Sequence, residues 1–237
     1  MTSSNLEKKL DFFTHSESPY EPPGEEEAVV ILAGVRNIKL AGLPKEEHMR
    51  ADSMTSQHAR GRYLAARSLV RRVLSGWLNR EPDSIPISIT PEGKPFVIGE
   101  EMPKFSVSHT HDFIAAAFFH SSVGIDLEKE RPVDALFLAR RFFSDEEVDH
   151  LERTKSPSDF FKLWTCREAA IKGDGRGMAA LLSKIKIASP ESGAEGPLQV
   201  AVEEVSWSAF HWKLQSGIHG AVAFRKVPGL IRWCDLR

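Results

Sequence analysis

The chain runs through one order of element types twice. An apolar stretch, AVVILAG (Ala28–Gly34), leads into a long helical stretch and then into strand-like stretches that end at FIAAAFF (Phe113–Phe119). A second apolar stretch, SVGIDLE (Ser122–Glu128), leads into helical stretches and again into a strand series. Each half thus reads as strand, helices, then strands, which predicts an α+β class. The repetition predicts two similar lobes in a pseudo-twofold arrangement, residues 1–120 and 121–237, meeting near residues 119–122. No residue-by-residue repeat accompanies this order. A chain of 237 residues is long enough to give each lobe a core.

The local signals set the elements. In SQHARGRYLAARSLVRRVLSGWL (Ser56–Leu78), Leu64, Leu69, Val73 and Trp77 recur at helical spacing, with arginines largely between them. Most of those arginines, Arg62, Arg67, Arg71 and Arg72, are therefore expected in solvent, with one or two left to face a polyanion. SIPISIT reads as an edge strand broken by Pro86, and PEGKPF as a turn. FSVSHTHDFIAAAFF reads as strand around a polar bend at Thr110–Asp112. In the second half, VDALFLARRFF, SDEEVDHLERT and PSDFFKLWTCREAAIKGDG read as helices, the last with Pro157 in its first turn and glycines at its end. SKIKIA, LQVAVEEV, SAFHWKLQ and HGAVAFR read as strands, with a turn cluster at SPESGAEGP. Residues 1–27 read as an irregular arm.

Composition removes several classes of function. A formal net charge of −2 gives no basic field for nucleic acid. The two cysteines, Cys166 and Cys234, are far apart and in no CxxC pattern, which fits a reducing compartment and no disulfide framework. The first residues hold no apolar signal region, and the longest apolar runs are too short for a bilayer. The chain is expected to be cytoplasmic and away from membranes.

The residues with chemical potential are few. Asp126 and Glu128 stand two apart, on one face of an extended chain. They fit a hard divalent cation; equally, the strand could end at Asp126 and leave Glu128 and Lys129 in solvent. Glu168 and Lys172 are four apart on the last helical stretch and share a face. They fit an ordinary surface pair, or a metal and phosphate site beside a buried helix face. Ser108 and His109, at a strand end, can donate to phosphate; His109 and His111 could instead be a metal pair. Lys94 sits in a rigid turn that can hold it against an anion. Ser144-x-x-Glu147 reads as a helix-capping box, so Glu147 is taken as structural. There is no Walker A, G-x-G-x-x-G or G-x-S-x-G pattern, which weighs against P-loop, Rossmann and serine-hydrolase readings.

Taken in order, GKP, FSVSHT, VGIDLE, RFFSDEE and LWTCREAAIKGDGRG resemble the 4′-phosphopantetheinyl transferases, specifically the larger, two-lobed Sfp type. The family patterns are GKP, F-N-x-S-H-S, G-I-D-x-E, F-F-S-x-x-E and W-[ST]-x-K-E-[AS]-x-x-K. The match runs from about Arg62 to Gly177. This chain departs from it at Ser106, where the family has asparagine, and at Arg167, where it has lysine. Basic residues expected before the first helix are sparse around Glu46 and Glu47.

The resemblance implies transfer of the phosphopantetheine arm of coenzyme A to a serine of an apo acyl or peptidyl carrier protein, with Mg²⁺. It implies Asp126, Glu128 and Glu168 as metal ligands and Lys172 at the pyrophosphate. Arg62, Lys94, Ser108 and His109 would hold the adenosine end and its 3′-phosphate, with Arg50 as a further phosphate contact. Glu168 is the preferred general base. Arg131, Arg140 and Arg141 beside Phe137, Phe142 and Phe143 offer a docking surface for an acidic carrier, or else core phenylalanines with solvated arginines. A monomer is expected, since one chain carries both lobes. The competing readings are a Mg²⁺-dependent nucleotide phosphohydrolase and a non-catalytic coenzyme A-binding protein.

Overall fold

A computed structural model of the chain describes residues 13–16, 18–40, 42–99, 103–188 and 196–237. The first half carries β1 (Phe13–Ser16), β2 (Glu27–Gly34), α1 (Lys45–Asp52), α2 (Gln57–Leu78), β3 (Ile87–Ile89), β4 (Pro95–Val97), β5 (Lys104–Thr110) and β6 (Phe113–Phe119). The second carries β7 (Val123–Lys129), α3 (Ala135–Phe142), α4 (Asp145–Thr154), α5 (Pro157–Asp174), α6 (Met178–Leu181), β8 (Ile185–Ala188), β9 (Leu198–Val202), β10 (Val205–Lys213), β11 (Ile218–Phe224) and β12 (Leu230–Leu236). Most of the turn cluster expected at SPESGAEGP, and most of the N-terminal arm, lie outside the described residues.

The repeated order of elements becomes a repeated topology. One five-stranded sheet runs β1-β12-β2-β6-β5 and the other β7-β11-β10-β9-β8. In the first, β2 pairs antiparallel with β6, which pairs with β5; in the second, β7 pairs antiparallel with β11, which pairs with β10. One face of each sheet contributes to a shared core, with Val30, Leu32, Ala117 and Phe119 meeting Ile125, Leu127, Val222 and Phe224. The outer face of the first sheet is covered by α2 through Leu69, Val70 and Val73, and that of the second by α5 through Ala169 and Ala170. Strands buried on both faces need apolar side chains at every position, which is why AVVILAG and FIAAAFF do not alternate.

Two expectations need correction. The arm is not irregular throughout: Phe13–Ser16 forms a parallel strand on β12, and β2 begins at Glu27. The last strand, LIRWCDL, is not among the expected elements; it lies parallel to β1 and β2 between them, so the chain returns to the first sheet after building the second. Its charged residues hide it in the sequence, and Arg232 is accommodated by Glu27 on the neighbouring strand at 2.6 Å.

The arginines of α2 also differ from expectation. Arg67 and Arg71 are turned in, not out, and both hold Glu47 of α1, at 2.5 and 3.0 Å. Arg71 further donates to the carbonyls of Pro82 and Ile85, each at 2.8 Å. The second lobe repeats the device. Arg167 of α5 holds Glu147 of α4 at 2.6 Å, both side chains fully buried, and donates to the carbonyls of Phe142 and Ile185. A buried charge is tolerable when paired and hydrogen-bonded, and here each pair also ties down the chain that follows its helix.

Candidate active site and metal centre

The site forms where β7 meets α5. Along β7, Val123, Ile125 and Leu127 enter the shared core, so Gly124, Asp126 and Glu128 face the other way, towards α5. The helix is capped at its start by the Ser156 hydroxyl, which accepts from the Asp159 N–H, and stops at Gly175 in the left-handed conformation. Strand and helix approach closely because glycine meets glycine. A Cβ built on Gly124 would lie 1.9 Å from the Ala169 carbonyl oxygen and 2.3 Å from the Gly173 nitrogen. That approach brings Glu168 and Lys172, one turn apart on α5, over Asp126.

The three acids predicted as ligands converge. One carboxylate oxygen each from Asp126, Glu128 and Glu168 all lie within 4.8 Å of one another, and this is the one such cluster among the described residues. Asp126 is buried, with one oxygen committed: Oδ1 accepts from Lys172 Nζ at 2.6 Å and from the Ser108 hydroxyl at 2.9 Å. Its other oxygen, Oδ2, is buried and has no hydrogen-bond partner. An orphaned carboxylate oxygen is costly unless something fills the space before it. Three converging carboxylates are the donor set of a hard divalent cation, so the residues fit a metal.

The electrostatics agree with three acids crowded into a poorly solvated place. Burial pushes the Glu168 carboxyl up to about 8, aided by Asp126 and Glu128 and opposed by Lys172 and the Trp164 hydrogen bond. Burial, with Asp126, also raises Glu128, although Arg131 works against it. For Lys172, burial favours the neutral amine, but Asp126, Glu168 and Glu128 more than offset this and hold it above the usual lysine value.

The residues predicted to contact the nucleotide lie on the first lobe, around its contact with the second. Lys94, in the β3–β4 turn, donates to the Gly173 carbonyl at 2.5 Å; burial and Lys104 pull its pKa down to about 8. Lys94, Ser106, Ile171, Lys172 and Gly175 line a cleft of about 230 Å³. His109 is exposed at the end of β5, and desolvation together with Arg62 and Lys172 lowers its pKa. Arg62 is half-buried, and its Nε is buried without a partner. Arg50 is exposed on α1, with its guanidinium over the Tyr63 ring at 5.8 Å. His111 occupies the turn after β5 with φ 49°, and the histidine pair joins no metal cluster among the described residues. Ser144 and Glu147 form the expected capping box.

At α3, Phe137 is 60% exposed while Phe143 stacks on Phe160, so the phenylalanines divide between surface and core. Arg140 pairs with Glu152, and Arg141 lies over Phe142. Three contributions to the site escape the sequence reading, which places Arg131 only at a docking surface. Arg131 holds Glu128 Oε2 at 2.6 Å, Trp164 bonds Glu168, and Gly124 permits the close approach. Only Gly124 carried a signal, since a glycine inside a strand marks a place where another backbone comes close. Among the described residues no helix is long and apolar enough to cross a membrane.

Comparison with known proteins gives matches over both halves. A family model described as the 4′-phosphopantetheinyl transferase superfamily matches residues 122–223, and one described as 4′-phosphopantetheinyl transferase, N-terminal, matches residues 36–120. The chain is 34% identical over 157 residues to the 4′-phosphopantetheinyl transferase HetI of Nostoc sp., covering 62% of this chain and 65% of that protein. It is 30% identical over 138 residues to the transferase Sfp of Bacillus subtilis, covering 57% and 59%. It is 30% identical over 168 residues to the transferase psf-1 of Bacillus pumilus, covering 70% and 71%. The match thus spans less than two thirds of the length of HetI and of Sfp.

Proposed function

This chain belongs to the 4′-phosphopantetheinyl transferase superfamily, and from that membership we propose that it moves the 4′-phosphopantetheine arm of coenzyme A onto a serine of an apo acyl or peptidyl carrier protein. The observation that carries the proposal is the convergence of Asp126, Glu128 and Glu168 around an orphaned Asp126 oxygen, beside Lys172.

In this reading the serine oxygen attacks the β-phosphate, a new P–O bond forms, and the bond to adenosine 3′,5′-bisphosphate breaks. Mg²⁺ held by Asp126, Glu128 and Glu168 would supply neutralisation of the charge that builds on the pyrophosphate oxygens. Lys172 adds a fixed cation beside the pyrophosphate. Glu168 is the preferred acceptor of the serine proton, since it stands beside Lys172 on the face of α5 that covers Asp126. Arg62, with its buried unpartnered Nε, and His109 and Lys94 hold the adenosine end and its 3′-phosphate, with Ser108 between them and Asp126. Residues 1–120 then serve mainly the nucleotide, and residues 121–237 the metal and pyrophosphate. Because residues of both lobes of one chain serve one site, a monomer suffices, acting in the cytoplasm. Arg140, Arg141 and exposed Phe137 offer a surface for an acidic carrier.

The test is product release. With coenzyme A and Mg²⁺, adenosine 3′,5′-bisphosphate should appear only when an apo carrier is present. Its release at the same rate without carrier, or release of free phosphate, would show a hydrolase instead.

A further inference from the structure

Ser108 stands at the junction of the two sheets, where β5 of one lies against β7 of the other. The two strands are not joined there as a ladder. Instead, serine hydroxyls of β5 accept from backbone N–H groups of β7: Ser106 Oγ from Ile125 at 3.2 Å and Ser108 Oγ from Leu127 at 3.2 Å. The Ser108 hydroxyl has two further partners. It accepts from Lys172 Nζ at 2.9 Å and donates its one hydrogen to Asp126 Oδ1 at 2.9 Å. A hydroxyl offers one donor and two acceptor positions, so its capacity is filled. The residue is also buried, 6% exposed.

We propose that Ser108 is a positioning residue of the metal site and not a ligand of the nucleotide 3′-phosphate. It fixes Asp126 through Oδ1, so that Oδ2 is the oxygen left for the cation, and it holds Lys172 in the same grip. To reach a phosphate it would have to abandon a buried carboxylate and uncover a buried backbone N–H. Ser106 shares the junction but not the role, since its hydroxyl serves Ile125 and does not touch Asp126. The inference rests on the metal reading above and assigns the 3′-phosphate to Arg62 and His109 alone among the β5 and α2 residues.

The experiment measures Mn²⁺ binding by electron paramagnetic resonance on the full chain, and KM for coenzyme A and for dephospho-coenzyme A. Removing a group that orients a metal-bound carboxylate weakens metal binding by about 10- to 100-fold. Ser108→Ala should weaken Mn²⁺ by at least about tenfold. The ratio of the two KM values should stay as in the parent, because no 3′-phosphate contact is lost. Ser108→Thr, which keeps the hydroxyl, should restore binding. Ser106→Ala, which removes the neighbouring N–H acceptor, should lower the melting temperature and leave Mn²⁺ affinity unchanged. Should Ser108→Ala not fold, Ser108→Cys, with a weaker donor and acceptor, should give the same order at smaller amplitude. Parent-like Mn²⁺ binding in Ser108→Ala or Ser108→Cys, with KM raised for coenzyme A but not for dephospho-coenzyme A, overturns the proposal. Equal loss in Ser106→Ala overturns it too, since the effect would then belong to the junction. A parent chain that binds no Mn²⁺ overturns the metal reading itself.

Discussion

Replacing Gly124 by alanine adds one methyl group at the point where the catalytic geometry is set. That methyl would sit 1.9 Å from the Ala169 oxygen, 2.3 Å from the Gly173 nitrogen and 2.8 Å from the Gly173 Cα. All three are backbone atoms of α5, so no side chain can swing away. Ordinary contact begins near 3.4 Å, so α5 has to retreat from β7 by about 1.5 Å. The same retreat stretches the Lys172–Asp126 contact from 2.6 Å to about 4 Å, beyond a hydrogen bond, and pulls Glu168 from the two strand acids. A misplacement of this size costs about 100-fold in rate, and overpacking costs about 1–3 kcal/mol of stability. In a chain of this length that lowers the melting temperature by roughly 2–12 °C. The assay is Mg²⁺-dependent modification of an apo carrier, with the melting curve run beside it. The variant should still fold at 25 °C and lose about two orders of magnitude in rate. Gly173→Ala meets the buried Trp207 ring at 2.5 Å but the β7 backbone only at 3.1 Å, at the Gly124 nitrogen, so it should push α5 from β7 less and lose less activity. A Gly124→Ala variant with near-parent rate would refute the claim that glycine-to-glycine approach builds the site.

Other outcomes follow from the same geometry. Asp126→Ala, Glu128→Ala and Glu168→Ala should each remove most transfer while the chain stays folded by circular dichroism; a near-normal Asp126→Ala rate would mean the metal lies elsewhere. Glu147→Ala should destabilise by about 3–5 kcal/mol in urea titration, because it strands a fully buried Arg167, whereas Arg140→Ala should change stability by less than about 1 kcal/mol. Arg140→Glu with Arg141→Glu should raise KM for an acidic carrier at low salt, and an unchanged KM would rule out docking there. The two buried histidines His211 and His219 should make a contribution to stability that is lost as pH drops below about 6.5, opposite in sign to that of the raised carboxyls Glu168 and Glu128. Burial, with His219, Lys162 and Lys213, holds His211 well below the ordinary histidine value, and burial likewise lowers His219. At these two residues the unfolded chain then binds protons that the folded one refuses, so their titration on acidification favours unfolding. His211→Asn should flatten melting temperature against pH between 5 and 6.5; an unchanged slope would place the acid sensitivity elsewhere.

How much of this was legible in the sequence depends on how local each signal was. Asp126 and Glu128 share a strand face by simple alternation, and Glu168 and Lys172 share a helix face by simple periodicity; that the two faces meet came from the order of motifs, not from spacing. The repeated strand–helix–strand order gave the paired sheets for a similar reason, since the elements are strongly patterned. Glu47 and Arg71 were illegible because α1, KEEHMRAD, is mostly polar and its one buried acid looks like its neighbours. β12 was illegible because its partners are more than two hundred residues away and its charges are satisfied only in the sheet. The Ser108 hydroxyl reads as a phosphate donor from its chemistry and from the family resemblance, while its hydrogen bonds to Asp126, Lys172 and the Leu127 N–H are not visible in the sequence. Which partner it takes is set by how β5 and β7 meet, a contact between lobes that no local pattern encodes.

The central claim is that these two lobes assemble one site that transfers phosphopantetheine to protein. The direct measurement is intact-mass spectrometry of several apo carrier proteins after incubation with the chain, coenzyme A and Mg²⁺, with and without chelator. The account predicts that at least one carrier gains a single phosphopantetheine on its acceptor serine, that chelator prevents it, and that Asp126→Ala prevents it. Carriers that all remain unmodified while the folded protein and coenzyme A are intact would contradict it.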